Sequence, residues 1–257
     1  MGHTLWVLGD STVSAFNDNY YMPRYGYGTA LPMFFNDELE VKNLAISGTS
    51  SKSFTTRDNY RLFLEGMKPG DFIMLGFGHN DEKHGDVTFT SGSGDKDTEG
   101  SFANRLYTSY IKPALENDVT PILITPTVRW VEDGVYKGSD IHITADGDYP
   151  EAERELAKAC KVTLVDLTAL TLELNKKMGY DGLYLHSRTA SRLLCVDNTH
   201  TNYCGALVHA FLIVKTLQKS DCGIKKYIKS ELYDPFEHDK ELIDKSIICV
   251  KGYGYSH

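Results

Sequence analysis

Five short, nearly continuous apolar runs punctuate this chain: Leu5–Leu8, Val41–Ala45, Asp71–Phe77, Pro121–Thr125 and Val162–Asp166. Runs of this length without polar alternation suit strands covered on both faces. Amphipathic stretches lie among them. Ser101–Glu116 puts Phe102, Leu106, Tyr110, Ile111 and Leu115 near helical spacing, and Glu151–Lys161 turns Leu156 and Ala159 inward. Gly205–Gln218 aligns Leu207, Ala210, Phe211, Val214 and Leu217 on one stripe. Strands joined through helices run parallel, because each crossover returns the chain to the same end of the sheet. The expected fold is therefore α/β, with a doubly wound, five-stranded parallel sheet. No linker-like composition divides residues 1–257, so one domain is expected, with its core at about 4–218. The more charged stretch Lys219–His257 is expected to pack on it as a C-terminal extension.

The balance of 27 Lys and Arg against 35 Asp and Glu gives a net charge of -8, with no cluster of five basic residues. That argues against nucleic acid as a partner, since phosphate neutralisation needs concentrated cations. No apolar run approaches the roughly 18 residues that cross a bilayer, so no membrane span is expected. Met-Gly-His-Thr leads directly into Leu5 without a basic and then apolar leader, which predicts a cytoplasmic protein, or a secreted one whose leader has been removed. The five cysteines contain no CxxC pair, so neither a zinc site nor a full disulfide framework is indicated. A Cys195–Cys204 disulfide is compatible with export. Oligomeric state leaves no signature.

Open α/β sheets bind ligands at the carboxyl ends of their strands. There the sequence places Gly9-Asp10-Ser11-Thr12, then Asn43-Leu44-Ala45-Ile46-Ser47-Gly48-Thr49, then Gly76-Phe77-Gly78-His79-Asn80-Asp81. Asp197-Asn198-Thr199-His200 stands just before the last strong helix. Singly these are ordinary turns, caps and surface residues. Together, and in this order, they are a chemical set. A serine hydroxyl needs a base, histidine is the usual base at neutral pH, and a carboxylate holds that histidine's tautomer. Asp197 and His200, three apart, can share one turn. The Ser11 and Gly48 backbone N–H groups and the Asn80 amide are candidate oxyanion donors, with Gly48 allowing close approach of the backbone.

These four blocks resemble those of the SGNH (GDSL-type) hydrolases, and more narrowly the rhamnogalacturonan acetylesterase branch of carbohydrate esterases. Supporting details are Tyr27-Gly28-Thr29-Ala30-Leu31-Pro32, Ser50-Ser51-Lys52-Ser53-Phe54 and Lys68-Pro69-Gly70-Asp71. The resemblance covers about residues 4 to 218. It implies a flavodoxin-like three-layer sandwich, Ser11 as nucleophile, Asp197 and His200 completing a triad, and Ser11, Gly48 and Asn80 as the oxyanion hole. It also implies no metal or organic cofactor, and an acetylated carbohydrate, pectic or xylan-type, as substrate. The chain departs from the pattern at Thr201-Asn202-Tyr203-Cys204-Gly205, at the tail, and at Trp130, where relatives commonly carry a basic residue after Arg129.

His79, Arg129 and Trp130 are the candidate substrate contacts; His84, His142, His186 and His209 find no partner in the sequence. Arg24, Lys52, Arg57 and Arg129 are cations suited to an acidic sugar, and Tyr20, Tyr21, Tyr25 and Tyr27 are surfaces on which sugars stack. Three other functions compete. A lipase or thioesterase would line its site with a mobile apolar segment, whereas Lys83–Gly100 and Trp130–Tyr149 are polar and glycine-rich. A metallophosphoesterase needs D-x-H and G-N-H-[DE] ligand blocks that are missing here. A non-catalytic carbohydrate-binding protein has no use for Ser11 and His200 together.

Overall fold

The computed structural model describes residues 2–16, 24–179, 185–188 and 196–236. β1 (His3–Gly9) is followed by the short helix α1 (Tyr27–Ala30), a 3-10 turn over Leu31–Phe34, and β2 (Leu39–Asn43). Next come α2 (Ser51–Phe54), α3 (Asp58–Gly66) and β3 (Phe72–Gly76). The chain continues through α4 (Phe102–Leu106), a π-helical turn (Tyr107–Ile111), α5 (Lys112–Glu116) and β4 (Thr120–Ile124). A small hairpin, β5 (Ile143–Thr144) with β6 (Gly147–Asp148), leads into α6 (Tyr149–Cys160), β7 (Thr163–Val165) and α7 (Leu167–Met178). The hairpin β8 (His186–Arg188) with β9 (Val196–Thr201) precedes α8 (Tyr203–Lys219).

The main sheet has five parallel strands in the order β2-β1-β3-β4-β7. Side chains alternate between its faces. Leu5, Val7, Phe72, Met74, Ile122 and Ile124 meet α7 and α8 through Leu167, Leu174, Leu207, Phe211 and Val214. Trp6, Leu8, Ile73, Leu75 and Leu123 meet the opposite layer through Phe63, Phe102, Leu106, Ile111 and Leu156. This is a three-layer α/β sandwich, and the continuous apolar runs of β1, β3 and β4 reflect burial on both faces. No helix among the described residues is long and apolar enough to cross a membrane.

Two local expectations need correction. The Ser101–Glu116 helix is interrupted by the π turn, where Lys112 N–H reaches back to the Tyr107 carbonyl. Pro113 supplies the reason: it lacks the N–H that the Ser109 carbonyl needs, and its ring crowds that oxygen. The Tyr60 hydroxyl donates to the Ser109 carbonyl instead, at 2.7 Å. The extra residue rotates the following turn, so Ala114 is buried and Leu115 faces solvent, contrary to its expected inward position. In α6 the buried positions are Tyr149, Pro150, Glu153, Leu156 and Ala157, and Ala159 is exposed, because past the first turn the inward stripe follows i, i+3, i+4 from Glu153.

Part of the expected C-terminal extension is visible. A 3-10 turn at Gly223–Tyr227 buries Ile224 and Tyr227, and Ile228 bridges to Phe35. Residues 237–257 lie outside the described set, as does Cys195 of the expected disulfide.

Glu153 is fully buried, and neither carboxylate oxygen finds a donor among the described residues. Burial, with the charges of Asp81 and Asp166 added, pushes its carboxyl well above the usual range. A raised folded-state value stabilises the protein below the unfolded value, and that stability is lost as pH rises toward the folded one. Glu153→Gln is therefore expected to leave the melting temperature nearly unchanged at pH 4.5. At pH 7.5 it should raise it by about 4–8 °C, about 2 kcal/mol for a chain of this size. Thermal melts across this range test it; an offset independent of pH contradicts the assignment.

Candidate active site

The site begins where β1 stops. A side chain at Gly9 would place Cβ 2.4 Å from the Gly76 carbonyl oxygen, so only glycine lets β1 and β3 close here. The following turn is organised by Asp10, whose Oδ1 accepts from Thr12 N–H at 2.9 Å and from the Thr12 hydroxyl at 2.8 Å. Its carbonyl accepts from Val13 and Ser14 N–H. Ser11 is lifted to the rim of the sheet in this tight loop. Burial pushes the Asp10 carboxyl up to about 6; the Thr12 hydrogen bonds oppose the shift and the nearby Asp81 charge reinforces it.

Asp197 and His200 do not occupy a simple turn; they lie on β9. Residues three apart on a regular strand face opposite sides. Here His186 pairs with Thr201 and Arg188 with Val196, so two steps on β8 (186 to 188) span five on β9 (196 to 201). The excess residues bulge. Asp197 Oδ1 accepts from Thr199 N–H at 3.0 Å and His200 N–H at 3.1 Å, curling the bulge, and the Asn198 carbonyl is pinned by Trp130 N–H at 2.8 Å. The result is a continuous relay. His200 Nδ1 donates to Asp197 Oδ2 at 2.8 Å, which leaves Nε2 to accept the Ser11 hydroxyl at 2.7 Å.

Arg24 completes the relay from behind, its guanidinium 2.7 Å from the same Asp197 Oδ2. Two hydrogen bonds between Tyr25 and Thr201 hold the Arg24 segment beside β9, Tyr25 N–H to the Thr201 carbonyl and Thr201 Oγ1 to the Tyr25 carbonyl. Burial alone raises an aspartate. Here the hydrogen bond and charge of His200, with the charge of Arg24, hold the Asp197 carboxyl well below the usual carboxylate range. No residue pattern signals this partnership, because Arg24 is remote from Asp197 along the chain.

The two other expected oxyanion donors, Gly48 and Asn80, come from the loops after β2 and β3. Gly48 has φ +82°, and an added Cβ would meet nothing within 4 Å. Glycine is needed there for the left-handed backbone, and the space beside it is open. The Asn80 side chain, buried after β3, donates through Nδ2 to the Thr49 carbonyl at 2.8 Å and accepts at Oδ1 from Lys83 Nζ at 2.7 Å. Asp81 fastens the block. It accepts from the Ser51 hydroxyl and N–H, the Thr90 hydroxyl and Gly78 N–H, and burial pushes it up to about 6 despite them.

The expected substrate contacts fare differently. His79 is only 2 % exposed; its Nε2 faces Thr127 Oγ1 at 3.2 Å and its ring packs edge-on against His142. Burial and nearby positive charge hold it well below the usual histidine range, so it is a neutral wall residue rather than an open sugar contact. The Arg129 guanidinium is engaged by Glu82 and the Ser139 carbonyl, and Glu82 also meets His142 Nδ1 at 3.2 Å. Burial disfavours the Glu82 charge, but His142 and Arg129 hold its carboxyl below the usual value. Sequence reasoning missed this Glu82–His142–Arg129 cluster, whose members come from separate loops.

Trp130 is largely buried and borders an open groove of about 580 Å³ with Glu132, Asp133, Val135, Lys137, Asp140 and Asn198. Of the other expected contacts, Lys52 donates to the Asp86 carbonyl and Tyr27 is buried in the core. Tyr25 packs edge-on against Tyr203. Tyr20 and Tyr21 lie outside the described residues.

A serine, histidine and aspartate in hydrogen-bonded series, at the carboxyl rim of a doubly wound sheet, define a serine-type acyl hydrolase. The chain belongs to the GDSL-like lipase/acylhydrolase family, whose profile matches residues 7–202. It is 28% identical over 233 residues to the probable rhamnogalacturonan acetylesterase YesY of Bacillus subtilis (strain 168), covering 90% of this chain and 100% of that one. It is 27% identical to rhamnogalacturonan acetylesterase RhgT of the same organism, covering 88% and 94%. Among solved structures, YxiM of Bacillus subtilis superposes with a TM-score of 0.67 at 26% identity over 85% of this chain; the match spans 57% of that longer chain. Axe2, an acetylxylan esterase from Geobacillus stearothermophilus, shares the fold at a TM-score of 0.53 and 17% identity, over 90% and 99% of the two chains.

Arg24→Met tests the relay's outer member. With one counter-charge gone, Asp197 takes up a proton at higher pH. The stability that its ionised form contributes, present above the unfolded value and lost on acidification, then disappears earlier. Acid unfolding followed by circular dichroism is expected to shift to higher pH, and kcat on p-nitrophenyl acetate to fall about five- to tenfold. An unchanged acid midpoint with unchanged kcat makes the ion pair a bystander.

Proposed function

We propose that this protein is a carbohydrate O-acetylesterase that works through an acetyl-Ser11 intermediate. The observation that carries the reading is the unbroken series Ser11 Oγ, His200 Nε2, His200 Nδ1 and Asp197 Oδ2, with links of 2.7 and 2.8 Å. His200 removes the Ser11 proton as Oγ bonds the acetyl carbon. The resulting oxyanion is received by the Ser11 and Gly48 N–H groups and the Asn80 amide. As the bond from the acetyl carbon to the sugar oxygen breaks, His200 returns the proton to that oxygen. Water then enters by the reverse sequence and acetate leaves. Asp197 remains ionised and stabilises the imidazolium formed in each half-reaction.

Two things support an acetylated sugar over a long acyl ester. The groove beside the Asn198 bulge sets the hydrogen-bonding groups of Glu132, Asp133, Lys137 and Asp140 beside Trp130, Val131 and Val135, the mixture of polar groups and apolar faces that a sugar ring uses. The curated relatives YesY and RhgT bear rhamnogalacturonan acetylesterase names. Pectic rhamnogalacturonan fragments are accordingly the first substrates to offer, with acetylated xylo-oligosaccharides as the comparison.

The test is acetate release from both glycans, with p-nitrophenyl acetate and octanoate in parallel, by wild type and Ser11→Ala. Rapid acetyl hydrolysis that falls roughly 10⁴-fold or more in Ser11→Ala is expected. Equal or faster octanoate cleavage points instead to a lipase or thioesterase. Acetate release that survives Ser11→Ala overturns the reading.

A further inference from the structure

The geometry points to Lys83 as a positioning residue for the oxyanion hole, acting through the Asn80 amide; this rests on the proposed esterase reading. A carboxamide has one acceptor end and one donor end, and a half-turn about its last torsion exchanges them. Each end of Asn80 meets a neighbour with only one capability. The Lys83 ammonium, which can only donate, lies 2.7 Å from Oδ1. The Thr49 carbonyl, which can only accept, lies 2.8 Å from Nδ2. In the flipped orientation an ammonium would face an NH₂ group and a carbonyl oxygen would face another oxygen. The pair therefore fixes one orientation, and with it the direction of the second Nδ2 N–H, the one available to an oxyanion.

Orientation is half of the effect. A cationic donor on an amide oxygen draws electron density from the nitrogen and strengthens the hydrogen bonds that its N–H groups donate. Lys83 thus increases the positive character of Asn80 toward an anion that exists only in the transition state and the tetrahedral intermediate, which raises kcat rather than substrate binding. The turn makes this economical. Lys83 N–H donates to the Asn80 carbonyl, so the two residues sit on one backbone turn and the lysine stem folds back over the amide. Lys83 is itself exposed while Asn80 is buried, so its removal leaves the packed layers intact.

An exposed lysine at the rim of a sugar esterase has an obvious competing role, a direct hydrogen bond to the glycan. The two roles separate on a substrate with no sugar. On p-nitrophenyl acetate, Lys83→Met is expected to lower kcat about tenfold with KM nearly unchanged, equivalent to about 1.4 kcal/mol. Lys83→Arg, which keeps a donor and a charge, should recover part of the loss. The decisive comparison is the cycle with Asn80→Ala. If Lys83 works through Asn80, adding Lys83→Met to Asn80→Ala changes kcat less than twofold.

Wild-type kcat for Lys83→Met overturns the proposal, as does a full tenfold loss in the Asn80→Ala background. A defect seen only as raised KM on acetylated oligosaccharides replaces it with a sugar-binding lysine. Ser11→Ala in the same assays keeps the levels apart: activity that survives that substitution removes the esterase reading and this inference together, whereas loss of activity in Ser11→Ala with a silent Lys83→Met removes this inference alone.

Discussion

Asp197 holds an ionised carboxylate largely withdrawn from water, its side chain 8% exposed, and much of the site's architecture makes that charge tolerable. Burying a lone carboxylate is prohibitive unless it is paired and hydrogen-bonded. Here the Arg24 guanidinium and the His200 ring share Oδ2, while the N–H groups of Thr199 and His200 share Oδ1. Each of these partners has a structural cause. The N–H groups reach Oδ1 only because β9 bulges, the bulge is pinned to Trp130, and Arg24 arrives because Tyr25 is bonded to Thr201. Moving any of them moves the imidazole that faces Ser11.

Behind the rim lie three further acids, Asp10, Asp81 and Glu153, all fully buried. Asp10 and Asp81 serve as hydrogen-bond hubs for the turns that carry Ser11, Gly78 and the start of α2. Their carboxyls are pushed upward by burial, the reverse of Asp197. Carboxyl groups in one small region therefore ionise over different pH ranges, because of these four only Asp197 makes ion pairs among the described residues. The hubs hold loop geometry at some cost in stability near neutral pH.

The central strands β1, β3 and β4 were legible because they are buried on both faces, so apolar continuity marks them; β2 is a half-buried edge strand with Glu40 exposed, and it begins two residues before the expected run Val41–Ala45. Helices were legible in proportion to how much apolar surface they bury. α8 buries a long stripe and was plain, whereas α3 buries only Phe63 and leaves Leu62 and Leu64 exposed, so no stripe betrays it. The π turn was hidden because its cause is one proline and its compensation is Tyr60, a distant hydroxyl. Ser11, His200, Asp197, Gly48 and Asn80 were found through their residue types at strand ends. Arg24, Glu82, His142 and Lys83 were not assigned these roles, because their partners are set by tertiary folding rather than by spacing.

The cations show how such a reading misleads. In the sequence, Arg24, Lys52, Arg57 and Arg129 look available for an acidic sugar, yet three of the four are engaged by the protein itself, Arg24 by Asp197, Lys52 by the Asp86 carbonyl and Arg129 by Glu82 and Ser139, while Arg57 is exposed. An arginine already paired with a carboxylate offers little net charge to a ligand, and breaking the pair to free it is costly. The groove beside the relay, among the described residues, carries Glu132, Asp133 and Asp140 against Lys137. Its lining thus favours recognition by hydroxyl hydrogen bonds over attraction between opposite charges. In this chain the positive side chains nearest the chemistry hold the machinery in shape, so on the proposed reading any choice among sugars falls to the shape and hydrogen bonding of the loops that border the groove.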